Sequence, residues 1–242
     1  MTTLTTVPEP APRPTTPPAR VSSKASSKAE QTRATIVSSA LDLFRTKGFE
    51  GTTMRGIADA AGVSLGSAYY YFAGKEHLIQ AFYGQMQGEH LTAARSVLDR
   101  ETDFSARLRG VLEAWVETAE PYHEFAGTFF KNAAEPTSPL SPFSPESTDA
   151  RDASIAIYAE VVTGSDIKVA SALRPRLPEL LWLLQMGIVL FWVHDRSDDQ
   201  ARTRALIGGV VPLVDKLARL SRVPVVRGVT ADLVALLDSL RS

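Results

Sequence analysis

The sequence, 242 residues long, contains no cysteine. Disulfide staples and thiolate-bound metals are therefore excluded, and the composition fits a reducing compartment, the cytoplasm. Histidine is scarce: the four present, His77, His90, His123 and His194, are scattered. Glu120, His123 and Glu124 in "EPYHE" lie close together, but Pro121 interrupts helical geometry there and the cluster offers too few ligands for a metal site. No metal and no cofactor is expected. Serine, histidine and aspartate occur without a nucleophile elbow, so no catalytic residue is assigned and no enzyme is expected. Long apolar runs are lacking as well. The longest, residues 180–193, falls short of the ~20 residues a membrane span needs, and reads as a buried helix. The opening "MTTLTTVPEPAPRPTTPPAR" has no apolar core of a secretory signal. Alternating polarity of strand length is absent, which leaves an all-α chain.

Charge of one sign is nearly absent in sum, at −1 overall, but unevenly placed. Residues 1–76 hold nine lysines and arginines against six acidic residues, and the remainder seventeen against twenty-one. A basic front on an acidic body points to a polyanionic partner at one end. Residues 1–27, rich in Pro, Thr, Ser and Ala, are expected to be a disordered tail. Helical spacing predicts helices at about 28–47, 53–61, 64–71, 75–100, 103–119, 123–134, 149–163, 177–195, 198–220 and 230–241. One connection differs. In "EPTSPLSPFSPES", Pro136, Pro139, Pro142 and Pro145 recur every third residue, a spacing that predicts an extended polyproline-like segment. It is either a stiff surface loop or a lid with Leu140 and Phe143 as apolar anchors.

The stretch "TTMRGIADAAGVSLGSAYYYF" carries the functional signal. Thr53 is placed to cap one short helix, with Ile57, Ala58 and Ala61 on its inner face. Gly62 supplies the left-handed conformation of a tight turn, and Val63 plugs the angle. Ser64 caps a second helix kept slim by Gly66 and Ala68. Helix, turn and slim helix make a helix-turn-helix, whose second helix can enter a DNA major groove. Tyr69, Tyr70 and Tyr71 cannot all face one core, because helical neighbours point about 100° apart. Tyr71 is expected to turn inward. Tyr69 and Tyr70 either cover the domain surface or reach a duplex, where a phenol suits a phosphate contact at the groove edge.

From Thr32 to Leu78 the chain resembles the DNA-binding domain of the TetR family of transcriptional regulators. The residues that carry the resemblance are "ALDLFRTKGFEGTTMRGIADAAGVSLGSAYYYFAGKEHLI": Phe44 and Gly48 at the end of the first helix, Ile57-Ala58, the Ala-Gly-Val-Ser turn, and the Gly-x-x-Tyr-x-x-Phe-x-x-Lys run after it. Gly56 and Ser67 depart from the commoner residues. The resemblance implies that Thr53 and Arg55 touch phosphate and that Leu65, Gly66, Ser67 and Tyr70 face base edges or the groove wall. Tyr69 and Lys75 would hold phosphates. Leu65 and Tyr70, at variable positions, would set the sequence read. Arg20, Lys24 and Lys28 either add backbone contacts or belong to the tail. Residues 28–74 would form the three-helix reading domain and 75–242 a larger helical domain for effector binding and dimerisation.

Aromatic side chains in the second half suit either plain core or a ligand pocket. Trp115, Tyr122, Phe125, Phe129, Tyr158, Trp182, Gln185 and Met186 are the candidate lining, with the polar groups orienting a lipophilic or aromatic molecule. The helices at 178–194 and 200–220 carry more apolar surface than one core needs, which predicts burial against a partner. The resemblance implies a homodimer through a four-helix bundle, bound to a palindromic operator in double-stranded DNA and released by its effector. A ligand-independent activator or architectural DNA binder, and a helical small-molecule carrier, are the alternatives.

Overall fold

The computed structural model describes residues 23–135, 138 and 140–223, with isolated positions 228, 232, 235, 236 and 239 beyond them. The tail before Ser23, Pro136, Pro139 and most of the helix predicted at 230–241 lie outside the described residues. All regular secondary structure among the described residues is helical. The helices are α1 (Ser23–Lys47), α2 (Met54–Ala60), α3 (Leu65–Tyr71), α4 (Lys75–Arg100), α5 (Phe104–Ala119), α6 (His123–Ala133), α7 (Thr148–Thr163), α8 (Leu177–His194) and α9 (Ala201–Leu220). The helix α1 begins five residues before the predicted start at Lys28, because Ser, Lys and Ala at 23–28 extend it without a breaking residue.

Local chemistry sets the helix ends. Gly48 lies at φ 75° and closes α1, its N–H on the Phe44 carbonyl at 3.0 Å. Gly62, at φ 66°, closes α2 with a pair of bonds: Gly62 N–H to Asp59 O (3.2 Å) and Val63 N–H to Ala58 O (3.0 Å). That pairing is the Schellman arrangement, which only a residue tolerant of the left-handed region supports cheaply. The α8–α9 turn is less ordinary. Asp199 and Gln200 both lie at positive φ (50° and 49°), which displaces the predicted helix start from 198 to Ala201. Buried Asp195 holds this turn, accepting from the Ser197 and Thr203 backbones and hydroxyls at 2.6–3.0 Å.

Two apolar clusters organise the chain. The first joins Ile36, Val37, Ala40 and Phe44 of α1 to Ile57, Ala58, Ala68 and Phe72, then to Leu78, Ile79 and Phe82 of α4. Ala133 and Leu140 complete it from far along the sequence. The second fills the body around α5, with Phe104, Leu108, Val111, Leu112 and Val116 against Tyr158 and Val161 of α7, Leu181 and Trp182 of α8, and Ile207 and Val211 of α9. Buried Arg107 binds helix ends together: its guanidinium donates to the carbonyls of Leu98, Glu101, Glu160 and Val161. A cation among C-terminal carbonyls is favoured by both hydrogen bonding and the helix dipoles. Among the described residues α8 alone has the length and apolarity of a membrane span, and it packs against α6, α7 and α9.

The proline-rich connection departs from expectation. It is not extended. Successive turns close from Ser138 N–H to Glu135 O, Ser141 to Ser138, Ser144 to Ser141 and Ser147 to Ser144, at 3.0–3.2 Å. Pro142 and Pro145 stand at the second positions of their turns, where the fixed φ and missing N–H of proline are accommodated. The segment coils back rather than reaching out, with Leu140 buried and Phe143 exposed.

Candidate nucleic-acid interface and ligand cavity

The two short helices α2 and α3 are each capped at the N-terminus by a hydroxyl. Ser64 Oγ accepts the Ser67 N–H at 3.0 Å, and Thr53 Oγ1 accepts the Gly56 N–H at 3.1 Å to start α2. Ala68 is fully buried, so α3 lies close on α2. Gly66 is exposed and Ser67 half-buried, Thr53 and Arg55 are exposed at the neighbouring helix, and Leu65 is half-buried with part of its side chain against the N-terminal cluster. Tyr69 is 51% exposed and Tyr70 82%, whereas Tyr71 packs against the N-terminal cluster. Tyr70 meets Tyr71 edge-on at 5.2 Å.

Lys75 is placed differently from the expectation. Its ammonium donates to the Phe49 carbonyl at 2.8 Å and sits 4.4 Å from the centre of the Phe49 ring. Both contacts draw it inward, so it ties the start of α4 to the α1–α2 loop. The geometry makes it a brace for the helix-turn-helix.

An apolar cavity of about 480 Å³ lies in the body. Its walls come from α4, α5, α6, α7, α8 and the proline-rich turns. Trp115, Tyr122, Trp182, Gln185 and Met186 line it. Tyr158 does not: it is fully buried behind Gln185 and donates to its Oε1 at 2.9 Å. Burial pushes the Tyr158 phenol well above its ordinary range, so it stays a donor. The side chains of Phe125 and Phe129 lie outside the described residues. His123 bonds the Trp192 carbonyl at 2.8 Å through Nε2.

Sequence reasoning passed over the α4 wall, Phe82, Tyr83, Met86 and Gln87. The pairs Phe82/Met86 and Tyr83/Gln87 have the i, i+4 spacing that sets two side chains on one helical face. Arg151, the one charged side chain in the lining among the described residues, gave no signal. Its guanidinium holds the turns in place, donating to Pro142 O (3.0 Å), Ser144 O (3.1 Å) and Thr148 Oγ1 (3.0 Å).

The cavity wall and the reading domain touch through α4. Tyr83 OH donates to the Leu140 carbonyl at 2.8 Å, and Gln80 Nε2 to Ser147 Oγ at 3.1 Å. Burial raises the Tyr83 phenol far above its usual range, so this donor persists at any working pH. The Leu140 side chain meanwhile lies in the N-terminal cluster with Phe82. One short segment thus shares a wall with the cavity and a core with the helix-turn-helix.

Comparison with known proteins agrees with this architecture. Residues 36–82 match the model for bacterial regulatory proteins of the tetR family, and residues 107–236 the model for the tetracyclin repressor-like C-terminal domain. The chain belongs to the TetR family of bacterial regulatory proteins, which are regulators of transcription rather than enzymes. It is 31% identical over 91 residues to the HTH-type transcriptional repressor KstR2 of Mycobacterium tuberculosis, covering 38% of this chain and 46% of that protein. It is 36% identical over 69 residues to the HTH-type transcriptional regulator TtgR of Pseudomonas putida, covering 28% and 33%. The match therefore spans less than half of either relative. Among solved structures, the transcriptional regulator FadR of Bacillus subtilis in complex with stearoyl-CoA superposes with a TM-score of 0.59 at 15% identity, over 74% of this chain and 97% of that one. The fatty acid degradation regulator FadR of Bacillus halodurans does so at 0.56 and 18%, over 73% and 93%. At these identities the likeness is one of fold.

Proposed function

We propose that the chain is a repressor that binds a palindromic operator as a homodimer and is released by a small lipophilic effector. The observation that carries this reading is the shared segment at Leu140. It connects a capped helix bearing two exposed phenols to an apolar cavity. Thr53, Arg55, Leu65, Gly66, Ser67, Tyr69 and Tyr70 form the contact face, with phenols and Arg55 on phosphate and Leu65 and Tyr70 reading sequence. Lys75 acts from behind, fixing the angle at which α3 is offered. Such a regulator works on chromosomal DNA in the cytoplasm.

Dimerisation is supported by unpartnered apolar surface. Leu183 and Leu190 of α8 and Leu206, Leu213, Leu217 and Leu220 of α9 are all exposed in the single chain. Packed against the same helices of a second copy they form a four-helix bundle, which sets two α3 helices to face half-sites about 34–36 Å apart or a multiple of it. An effector entering the cavity presses on the turns at 141–147 and on Phe82, Tyr83 and Met86. Both routes displace α4 and change the spacing of the reading helices. Moving such a switch from 1:99 to 99:1 requires about 5.5 kcal/mol of preference for the released state. Burying two or three apolar groups, at ~1.5–3 kcal/mol each, supplies that.

The test is selection of bound sequences from sheared genomic DNA by the purified chain. The expected product is a palindrome. Enrichment of a non-symmetric site would overturn the dimer reading, and no retention of any duplex at low salt would overturn the function. A ligand-independent DNA binder is the second reading, and the cavity argues against it.

A further inference from the structure

We infer that the cavity takes an uncharged, largely apolar molecule that carries a carbonyl-type acceptor, held by Gln185 Nε2 and Trp192 Nε1. This rests on the reading of the cavity as the effector site and adds the chemistry of what enters it. Three buried polar atoms without a hydrogen-bond partner belong to side chains in its wall: Gln185 Nε2, Trp192 Nε1 and Gln87 Oε1. Native interiors rarely leave such groups unmatched, since each unmade bond is costly in a dry site. Two of them stand on α8 and one on α4, and all three residues line the one cavity.

The orientation of the Gln185 amide follows from its neighbours. Tyr158 OH donates to Gln185 Oε1 at 2.9 Å, and Ser154 OH lies at 3.4 Å from the same oxygen. That oxygen is engaged, so the amide offers its N–H₂. Trp192 is fixed edge-on between Trp115, with ring centres 5.2 Å apart, and His123, at 4.7 Å, and an indole nitrogen can only donate. Two fixed donors on α8 call for an acceptor. Gln87 Oε1, on α4, calls for a hydroxyl or N–H elsewhere on the same molecule.

Charge is argued against by the lining. Among the described residues no carboxylate or lysine borders the cavity, and Arg151 is the one ionised side chain of the lining. The Arg151 guanidinium is already committed to two main-chain carbonyls and a hydroxyl. Three of its five N–H groups are spent on those contacts, and a carboxylate or phosphate reaching the remaining two would give up its hydration in an apolar chamber. A ketone, lactone or ester loses far less on entry and meets both donors.

Three matched probes test this on the full chain: benzophenone, diphenylmethane (the same frame without the carbonyl) and 4-benzoylbenzoate (the ketone with a carboxylate). Binding is read by calorimetry and by the shift in melting temperature. Benzophenone is expected to bind about tenfold more tightly than diphenylmethane. In Trp192→Phe, and separately in Gln185→Leu, that ratio falls towards one while diphenylmethane binding is kept. The carboxylate binds no more tightly than the ketone. Equal affinity for ketone and hydrocarbon in the wild type overturns the inference, as does tightest binding by 4-benzoylbenzoate. If none of the three binds, the lipophilic effector site itself is wrong. Sequence selection on DNA is read separately, so that failure leaves the reading helix standing.

Discussion

Tyr70→Ala separates an exposed reading residue from a structural one. Tyr70 is 82% exposed and touches Tyr71 edge-on. Its removal forfeits an aromatic pair worth about 0.5–1.5 kcal/mol and gains roughly 0.5 kcal/mol of helix propensity. Stability should stay within about 1 kcal/mol, a melting shift of no more than ~2–4 °C at this size. On DNA the phenol's hydrogen bond is worth about 1 kcal/mol. A dimer loses it twice, so the complex weakens by about 2 kcal/mol, or about 30-fold. The assay is fluorescence anisotropy on the selected palindrome across a salt series. A neutral phenol displaces no counterion, so the slope of log affinity against log salt should be unchanged. Arg55→Ala, by contrast, should lower the slope by about 1.8 for two lost phosphate contacts. Binding by Tyr70→Ala within twofold of wild type, at unchanged stability, would refute the outward assignment of α3.

Other perturbations probe the frame. Replacing Arg107 by methionine removes its hydrogen bonds to four main-chain carbonyls at the ends of α4 and α7 and should cost about 2–4 kcal/mol in urea unfolding. Gly164→Ala should approach that loss, because its Cβ would stand 2.4 Å from the Arg107 Nη2. Burial holds the His90 imidazole below its ordinary range, against the raising effect of its bond to the Val111 carbonyl. The unfolded chain therefore takes up the proton first as pH falls. Stability should be full above about pH 6.5 and decline below it, and His90→Gln should flatten urea midpoints measured from pH 7.5 to 5. Leu213→Glu with Leu217→Glu, on the exposed face of α9, should yield a monomer by analytical ultracentrifugation with native helicity and DNA affinity reduced more than tenfold; a dimer of unchanged strength would move the interface elsewhere.

The sequence was legible where chemistry is local. Thr53, Gly62 and Ser64 act through neighbours one to four residues away, so their caps and turn could be read from residue type and spacing. Tyr69 and Tyr70 could be read as outward because three adjacent aromatics cannot share one face. The cavity was legible in part, since Trp182, Gln185 and Met186 occupy one stripe of an apolar helix. Tyr158 was misplaced because its distance from the cavity depends on Gln185 standing between, a fact of packing. Lys75 was misplaced because Phe49, twenty-six positions away, competes for its ammonium. The proline segment was misread because a proline every third residue suits both an extended helix and a stack of turns. The intervening serines tip the balance, since each supplies the N–H that its turn needs.

The Leu140 anchorage bears on how such a chain can be cut. A boundary drawn after residue 74 passes through the middle of an interior, leaving behind Leu78, Ile79 and Phe82 and the plug supplied from sixty residues downstream. An excised head would show solvent a socket where that plug had been. Exchange of heads between relatives should therefore succeed only when the proline turns travel with them, and a swap that ignores them should give a protein that recognises its site weakly and no longer hears its effector.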